Sequence, residues 1–260
     1  MYRIAARTGG VVLLTLGALV LLGWLWKIES LTTFLPGPIT MKPNTAIGFV
    51  FLGLALFLLT WYSKARSTQL WCAASATVVI LVGLVTLSEY LFHSDLGIDQ
   101  FLFKDVVQST FPGRMTHITA FNFCIAGLSL LLLALSERRA SMAQGLAATT
   151  GLSSIFAIIG YLYGVPALYG SIEYTSMALH TGLGFLIGSL SVLFSRPDLG
   201  LMSVLTNPYP GGWLARKLLP VAALAPAATC RSADGLARRD ARTCRRVGGS
   251  DDHGAGQASS

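Results

Sequence analysis

Charge is the scarcest feature of this sequence. Asp, Glu, Lys and Arg together make up 12% of its 260 residues, about half of the roughly 25% typical of soluble domains. Too few charges remain to coat a water-soluble globule of this size, which excludes an ordinary soluble enzyme. A disordered chain is excluded as well, because 53% of the residues are hydrophobic and the mean hydropathy is +0.62. Cysteine is sparse too: Cys72, Cys124, Cys230 and Cys244 show no C-x-x-C spacing and no adjacent histidine pair, so neither a redox motif nor a zinc site is specified. Cys72 and Cys124 lie in apolar runs, where a free thiol behaves as a small hydrophobe. Nucleophile elbow, Walker loop, G-x-G-x-x-G and H-E-x-x-H are all missing, so the sequence offers no catalytic machinery, no metal site and no cofactor motif.

What is present is a series of long apolar runs. About 18–25 residues cross a bilayer core as a helix, and six runs meet that length: about 9–26, 45–62, 70–92, 118–135, 142–164 and 177–194. Glu89, near the end of the third, is the one charge within them. Lipid offers the backbone no hydrogen-bond partner, so helices are the expected solution. The first run ends in Trp24-Leu25-Trp26-Lys27, where a signal peptide would need small residues. It reads as an uncleaved span with an interfacial tryptophan belt.

Loop charges set the expected orientation. Arg3, Arg7, Lys64, Arg66, Arg138, Arg139 and Arg196 fall in short segments on one side. The longer loops on the other side mix Lys27, Lys42, Lys104 and Arg114 with Glu29, Asp95, Asp99, Asp105 and Glu173. The positive-inside bias places both termini in the cytoplasm of a bacterial inner (plasma) membrane protein. The net charge of +7 does not indicate nucleic acid, because eight of the 19 basic residues fall after residue 198, in a tail with no aromatic beyond Trp213.

An internal repeat organises the spans. The even-numbered ones share M-x3-T-x3-F-x3-[GS]-L: Met41, Thr45, Phe49 and Gly53; Met115, Thr119, Phe123 and Gly127; Met177, Thr181, Phe185 and Ser189. Steps of four residues put these side chains on one slanting ridge, and the small residue allows another helix to approach closely. The repeating unit is a helical hairpin, used three times. Three hairpins about a shared axis bring three threonines to a similar depth, as packing elements or as the rim of a polar pocket. Asn44, Glu89, His93, His117 and His180 lie near the same depth, so a candidate ligand site comprises Asn44, Thr45, Glu89, His93, His117, Thr119, His180 and Thr181. Intramembrane ionisable groups are functional candidates by default, although interfacial histidines are common and this set does not specify a metal.

Four segments carry a resemblance: Met41-x-Pro43-Asn44-Thr45-Ala46, Tyr163-Gly-Val-Pro-Ala-Leu-Tyr-Gly170, Ala178-Leu-His-Thr181, and the exit Ser195-Arg-Pro-Asp-Leu-Gly-Leu-Met202. Together they resemble the multi-pass N-terminal membrane region found ahead of PAS, histidine-kinase and diguanylate-cyclase modules in bacterial sensor proteins. The resemblance implies a sensory input domain over residues 1–200, a cytoplasmic connector over 201–220, and an output module that this chain lacks. Residues 221–260 instead form a basic, low-complexity tail, expected to be disordered and similar to a frame-shifted reading of a GC-rich gene. The expected fold is all-α and polytopic, with six transmembrane helices in three hairpins. The expected partners are the lipid bilayer and a small ligand or membrane cue, with homodimerisation left open. A small transporter or channel, or a membrane scaffold, is the alternative.

Overall fold

A computed structural model describes residues 2–33, 40–61, 65–93, 113–163 and 177–206. Helices and turns account for these residues, with no strand among them. The helices are α1 (Tyr2–Trp26), α2 (Glu29–Thr32), α3 (Pro43–Trp61), α4 (Arg66–Phe92), α5 (His117–Leu135), α6 (Ala140–Tyr163), α7 (Leu179–Ser195) and α8 (Gly200–Thr206), with a short 3-10 turn at Glu137–Arg139 between α5 and α6. The tail, and the connector beyond Thr206, lie outside the described residues.

Five helices are long and apolar enough to cross a membrane on their own: α1, α3, α4, α5 and α6. The sixth, α7, has 17 residues and passes the same test only together with α8, from which it is bent by 79°. Seventeen residues rise about 26 Å, near the lower limit for a span. Apart from α7, which starts two residues later, the helices that cover the apolar runs begin earlier than the runs do. α1 takes in Arg3 and Arg7, α4 starts at Arg66, and α6 starts directly after Arg139. Charged side chains at a helix end can stay in contact with water while the backbone continues into the apolar run. Helix starts follow local chemistry: Pro43 occupies the first turn of α3, and the Thr116 hydroxyl accepts the Thr119 amide at the start of α5.

Three hairpins result: α1 with α3, α4 with α5, and α6 with α7. Each first helix also rests on the second helix of another hairpin: α4 on α3, α6 on α5, and α1 on α7. α3, α5 and α7 touch one another and form an inner triangle, with α1, α4 and α6 around it. At the centre lie Phe49, Phe123 and Phe185, each fully buried, with ring centroids 5.2, 4.9 and 4.7 Å apart. These are edge-on or tilted contacts, the favoured geometry for aromatic pairs. At this level the axis of the bundle is therefore filled by aromatic side chains.

Close helix approach holds each hairpin together. A Cβ added at Gly53 would lie 2.6 Å from the Gly10 carbonyl, and one added at Gly127 would lie 3.0 Å from the Ala76 carbonyl. In hairpin 3 the Ser189 hydroxyl donates to the Ala147 carbonyl at 2.6 Å. One heptad away the contact recurs as Gly17 against Ala46 and as Gly83 against Ala120. A seven-residue step keeps small residues on the seam of two helices that wind around each other.

These seams make a paired prediction. Gly53→Leu forces a side chain into the Gly10 backbone and lowers stability by about 1–3 kcal/mol or more. Gly145→Leu on α6, where an added Cβ meets nothing within 4 Å, leaves stability unchanged or raised. Equilibrium unfolding in mixed micelles distinguishes the two, and equal effects would contradict the packing described.

Candidate functional site

At the end of the bundle where the motif begins, each hairpin is fastened in the same way. Trp24 Nε1 donates to the Met41 carbonyl at 2.9 Å, Tyr90 Oη to the Met115 carbonyl at 3.0 Å, and Tyr161 Oη to the Met177 carbonyl at 2.8 Å. The donors come from α1, α4 and α6, so each first helix holds the backbone that opens its partner. Met41, Met115 and Met177 are all buried. Sequence reading missed these donors, although a signal exists. Gly10-x6-Gly17-x6-Trp24, Ala76-x6-Gly83-x6-Tyr90 and Ala147-x6-Ser154-x6-Tyr161 share one spacing, which extends the repeat to the odd-numbered spans.

Hairpin 2 breaks the symmetry with charge. In that register Glu89 takes the place of Gly23 and Gly160. Its side chain is 1% exposed and pairs with Arg114, 3% exposed, through Oε2 and Nε at 3.3 Å. Arg114 directly precedes Met115, and its guanidinium carbon lies 5.4 Å from the centroid of the Tyr90 ring. The ring of His117 meets Tyr90 edge-on, with centroids 5.8 Å apart. Glu89, Tyr90, Arg114 and His117 thus form one cluster. Two of its members, Tyr90 and Arg114, were absent from the candidate set. Arg114 was counted there only as a loop cation, because no spacing rule links it to Glu89 across a long connection.

The other candidates fall into separate places. His93 is exposed just past α4 in a left-handed conformation (φ 49°), so that standing four residues, one helical turn, after Glu89 does not bring it onto that carboxylate. Thr45, Thr119 and Thr181 are all buried, and the Thr119 hydroxyl is shared with that of Thr116 at 2.9 Å. Asn44 is half-buried. His180 is 6% exposed, and its Nε2 has no hydrogen-bond partner among the described residues. Among the described residues, no group of three His, Cys, Asp or Glu could hold a metal ion. Cys72 and Cys124 are free, and each thiol donates to a neighbouring helix's carbonyl, Ala55 at 3.4 Å and Ile80 at 3.8 Å.

The opposite, arginine-bearing end holds a second constellation, around the turn from α7 into α8. Gln144 on α6 is fully buried. Its Nε2 donates to the Arg196 carbonyl at 2.9 Å, and its Oε1 accepts the Met202 amide at 3.1 Å. One side chain thereby grips both sides of the corner. Gly200 has φ +59°, and a Cβ there would lie 2.6 Å from Gln144 Oε1, so both the backbone and the space call for glycine. Arg196 is 5% exposed, and its Nε lies 3.2 Å from Glu137 Oε1. Burial lowers the pKa of its guanidinium, the Glu137 carboxylate opposes that shift, and the Arg3 charge adds to it. At the same end Arg7 donates to the Thr60 carbonyl at 3.3 Å and lies 4.2 Å over the Trp61 ring.

Compared with protein-family models, curated proteins and solved structures, the chain matches none.

The buried ion pair carries its own prediction. Removing one member leaves the other charge stranded, so Glu89→Leu costs about 3–5 kcal/mol. The double variant Glu89→Leu/Arg114→Met removes the stranded charge and recovers most of that loss. Unfolding of both variants in micelles checks this, and a double variant no more stable than the single one would contradict it.

Proposed function

We propose that this membrane-embedded helical bundle is the input domain of a signalling protein. It takes up a cue at the Glu89–Arg114 end and delivers a displacement at the α8 end. The observation that carries this reading is the Gln144 clasp. A buried amide joins α6 to both sides of the α7–α8 corner, so any shift of α6 along the bundle is transmitted to the segment leaving it. The 79° bend would convert movement along the helix axis into movement across it. Such a domain needs two arrangements of its hairpins with different affinities for the cue.

Two further features support the proposal. The Glu89–Arg114 pair is a buried charged group from which, among the described residues, no charge relay leads inward, which suits detection better than transport. The phenylalanine-filled axis disfavours a pore through the centre of the bundle, which weighs against the transporter or channel alternative. In this reading the α8 end faces the cytoplasm, in keeping with its arginines, the bilayer is a bacterial inner membrane, and catalysis belongs to another module.

The relay can be tested without knowing the cue. A spin label at Val204, an exposed position on α8, reports on the exit segment in nanodiscs. Glu89→Gln breaks the charge at the far end and should change the label's spectrum. The same change in a Gln144→Leu background should leave the spectrum as it is in Gln144→Leu alone. A spectrum indifferent to Glu89→Gln would overturn the relay. Turnover of ATP or GTP by the purified chain would contradict the absence of catalysis.

A further inference from the structure

The three seams around the axis are not alike. The Phe123 ring presses on Gly48 and the Phe49 ring on Gly184, with added Cβ atoms only 2.5 and 2.7 Å from the nearest ring carbons. Each of these glycines directly precedes the motif phenylalanine of its own helix. The third such position, before Phe123, is Asn122. It is 1% exposed. Its Oδ1 accepts from the Ser153 hydroxyl at 2.8 Å, and its Nδ2 has no hydrogen-bond partner among the described residues. A buried amide donor left unsatisfied is costly, and in a native fold it calls for an explanation.

The facing stretch of α6 supplies one. Thr150 and Ser154 turn their hydroxyl hydrogens back onto their own helix, to the carbonyls of Leu146 and Thr150, while the single Ser153 hydrogen, also within reach of the Thr150 carbonyl, is the one that Asn122 Oδ1 accepts. The lone pairs on these oxygens remain available as acceptors. One helical turn toward the arginine-bearing end from Asn122 there is a cavity of about 10 Å³, walled mainly by α3 and α7, with Ala126 of α5 and Ala147 and Thr150 of α6 on its remaining side. The α5/α6 seam therefore combines a spare donor with spare acceptors, whereas a glycine at the same place has no side chain to exchange.

We propose that the α5/α6 seam is the joint of the bundle and that Asn122 is its latch. Asn122 is bonded to Ser153 in the arrangement described here. It is bonded to Thr150 in a second arrangement, reached when α6 slides along α5 by about 4.5 Å, three residues of helical rise. Shifts of packed helices by up to one turn are an established mode of switching. Because Gln144 rides on the same helix, the slide moves the α7–α8 corner. The purpose of the latch rests on the input-domain reading, but the two arrangements themselves do not.

The test uses the full chain in lipid nanodiscs, without any cue. Genetically encoded spin labels at Leu128 and Leu152, both exposed, span the α5/α6 seam. Labels at Leu19 and Leu183, also exposed, span the α1/α7 seam as a control. The expected result is two distances across the first seam and one across the second. Asn122→Gly should reduce the first pair to a single distance. Thr150→Val, which keeps the shape of the side chain, should remove the second population while leaving the first, so the test survives if Asn122→Gly fails to fold. A single distance in the unaltered chain, or two distances persisting in Thr150→Val, would overturn the latch. If the two distances appear but the exit segment never responds to Glu89→Gln, the latch stands and the input-domain reading falls.

Discussion

Close approach of helix backbones is the constraint from which this structure follows. In a bilayer, apolar side chains gain little by leaving lipid for protein, so helices associate through tight van der Waals contact and interhelical hydrogen bonds. The heptad of small residues meets that demand in each hairpin. It lets α1 reach α3 and α4 reach α5 almost backbone to backbone, and a serine hydroxyl adds a bond where α6 meets α7. With the hairpins narrowed in this way, the second helices can converge until Phe49, Phe123 and Phe185 interlock. The same geometry sets the aromatic donors Trp24, Tyr90 and Tyr161 two heptads along, level with the methionine carbonyls they hold.

Departures from threefold symmetry mark where chemistry was added to this scaffold. Glu89 replaces a glycine at one end of hairpin 2 and brings Arg114 with it. Asn122 replaces a glycine in the second turn of α5, where it is buried. Gln144, at the arginine-bearing end of hairpin 3, holds the exit corner. Glu89 and Asn122 place polarity where the other two hairpins carry glycine, and Gln144 stands where they carry Arg7 and Ala73. Each has a partner on another element, so they lie along a route from one end of the bundle to the other.

The fold was largely legible from the sequence because length and apolarity leave a membrane helix little choice. The M-x3-T-x3-F-x3-[GS] ridge identified the inner triangle, and its phenylalanines, read as packing residues, are the ones that meet at the axis. The companion heptad in α1, α4 and α6 was overlooked, since Gly, Ala and Ser interchange there and no single letter repeats. The site was legible only in part. Glu89 stood out as the lone charge in a span, but Arg114 is joined to it through tertiary placement alone. His93 shared its helical face by spacing, yet the left-handed turn that ends α4 leaves it exposed. Gln144 gave no signal, because a glutamine near a helix start looks like any interfacial polar residue until the corner it holds is seen.

The convergence of three second helices on one aromatic centre is the claim on which the rest stands. A diazirine-bearing phenylalanine at position 49, activated by light in native membranes, tests it directly. The account predicts insertion into peptides containing residues 117–135 and 179–195 of the same molecule. Insertion into lipid acyl chains, or into a second copy of the chain, would contradict it.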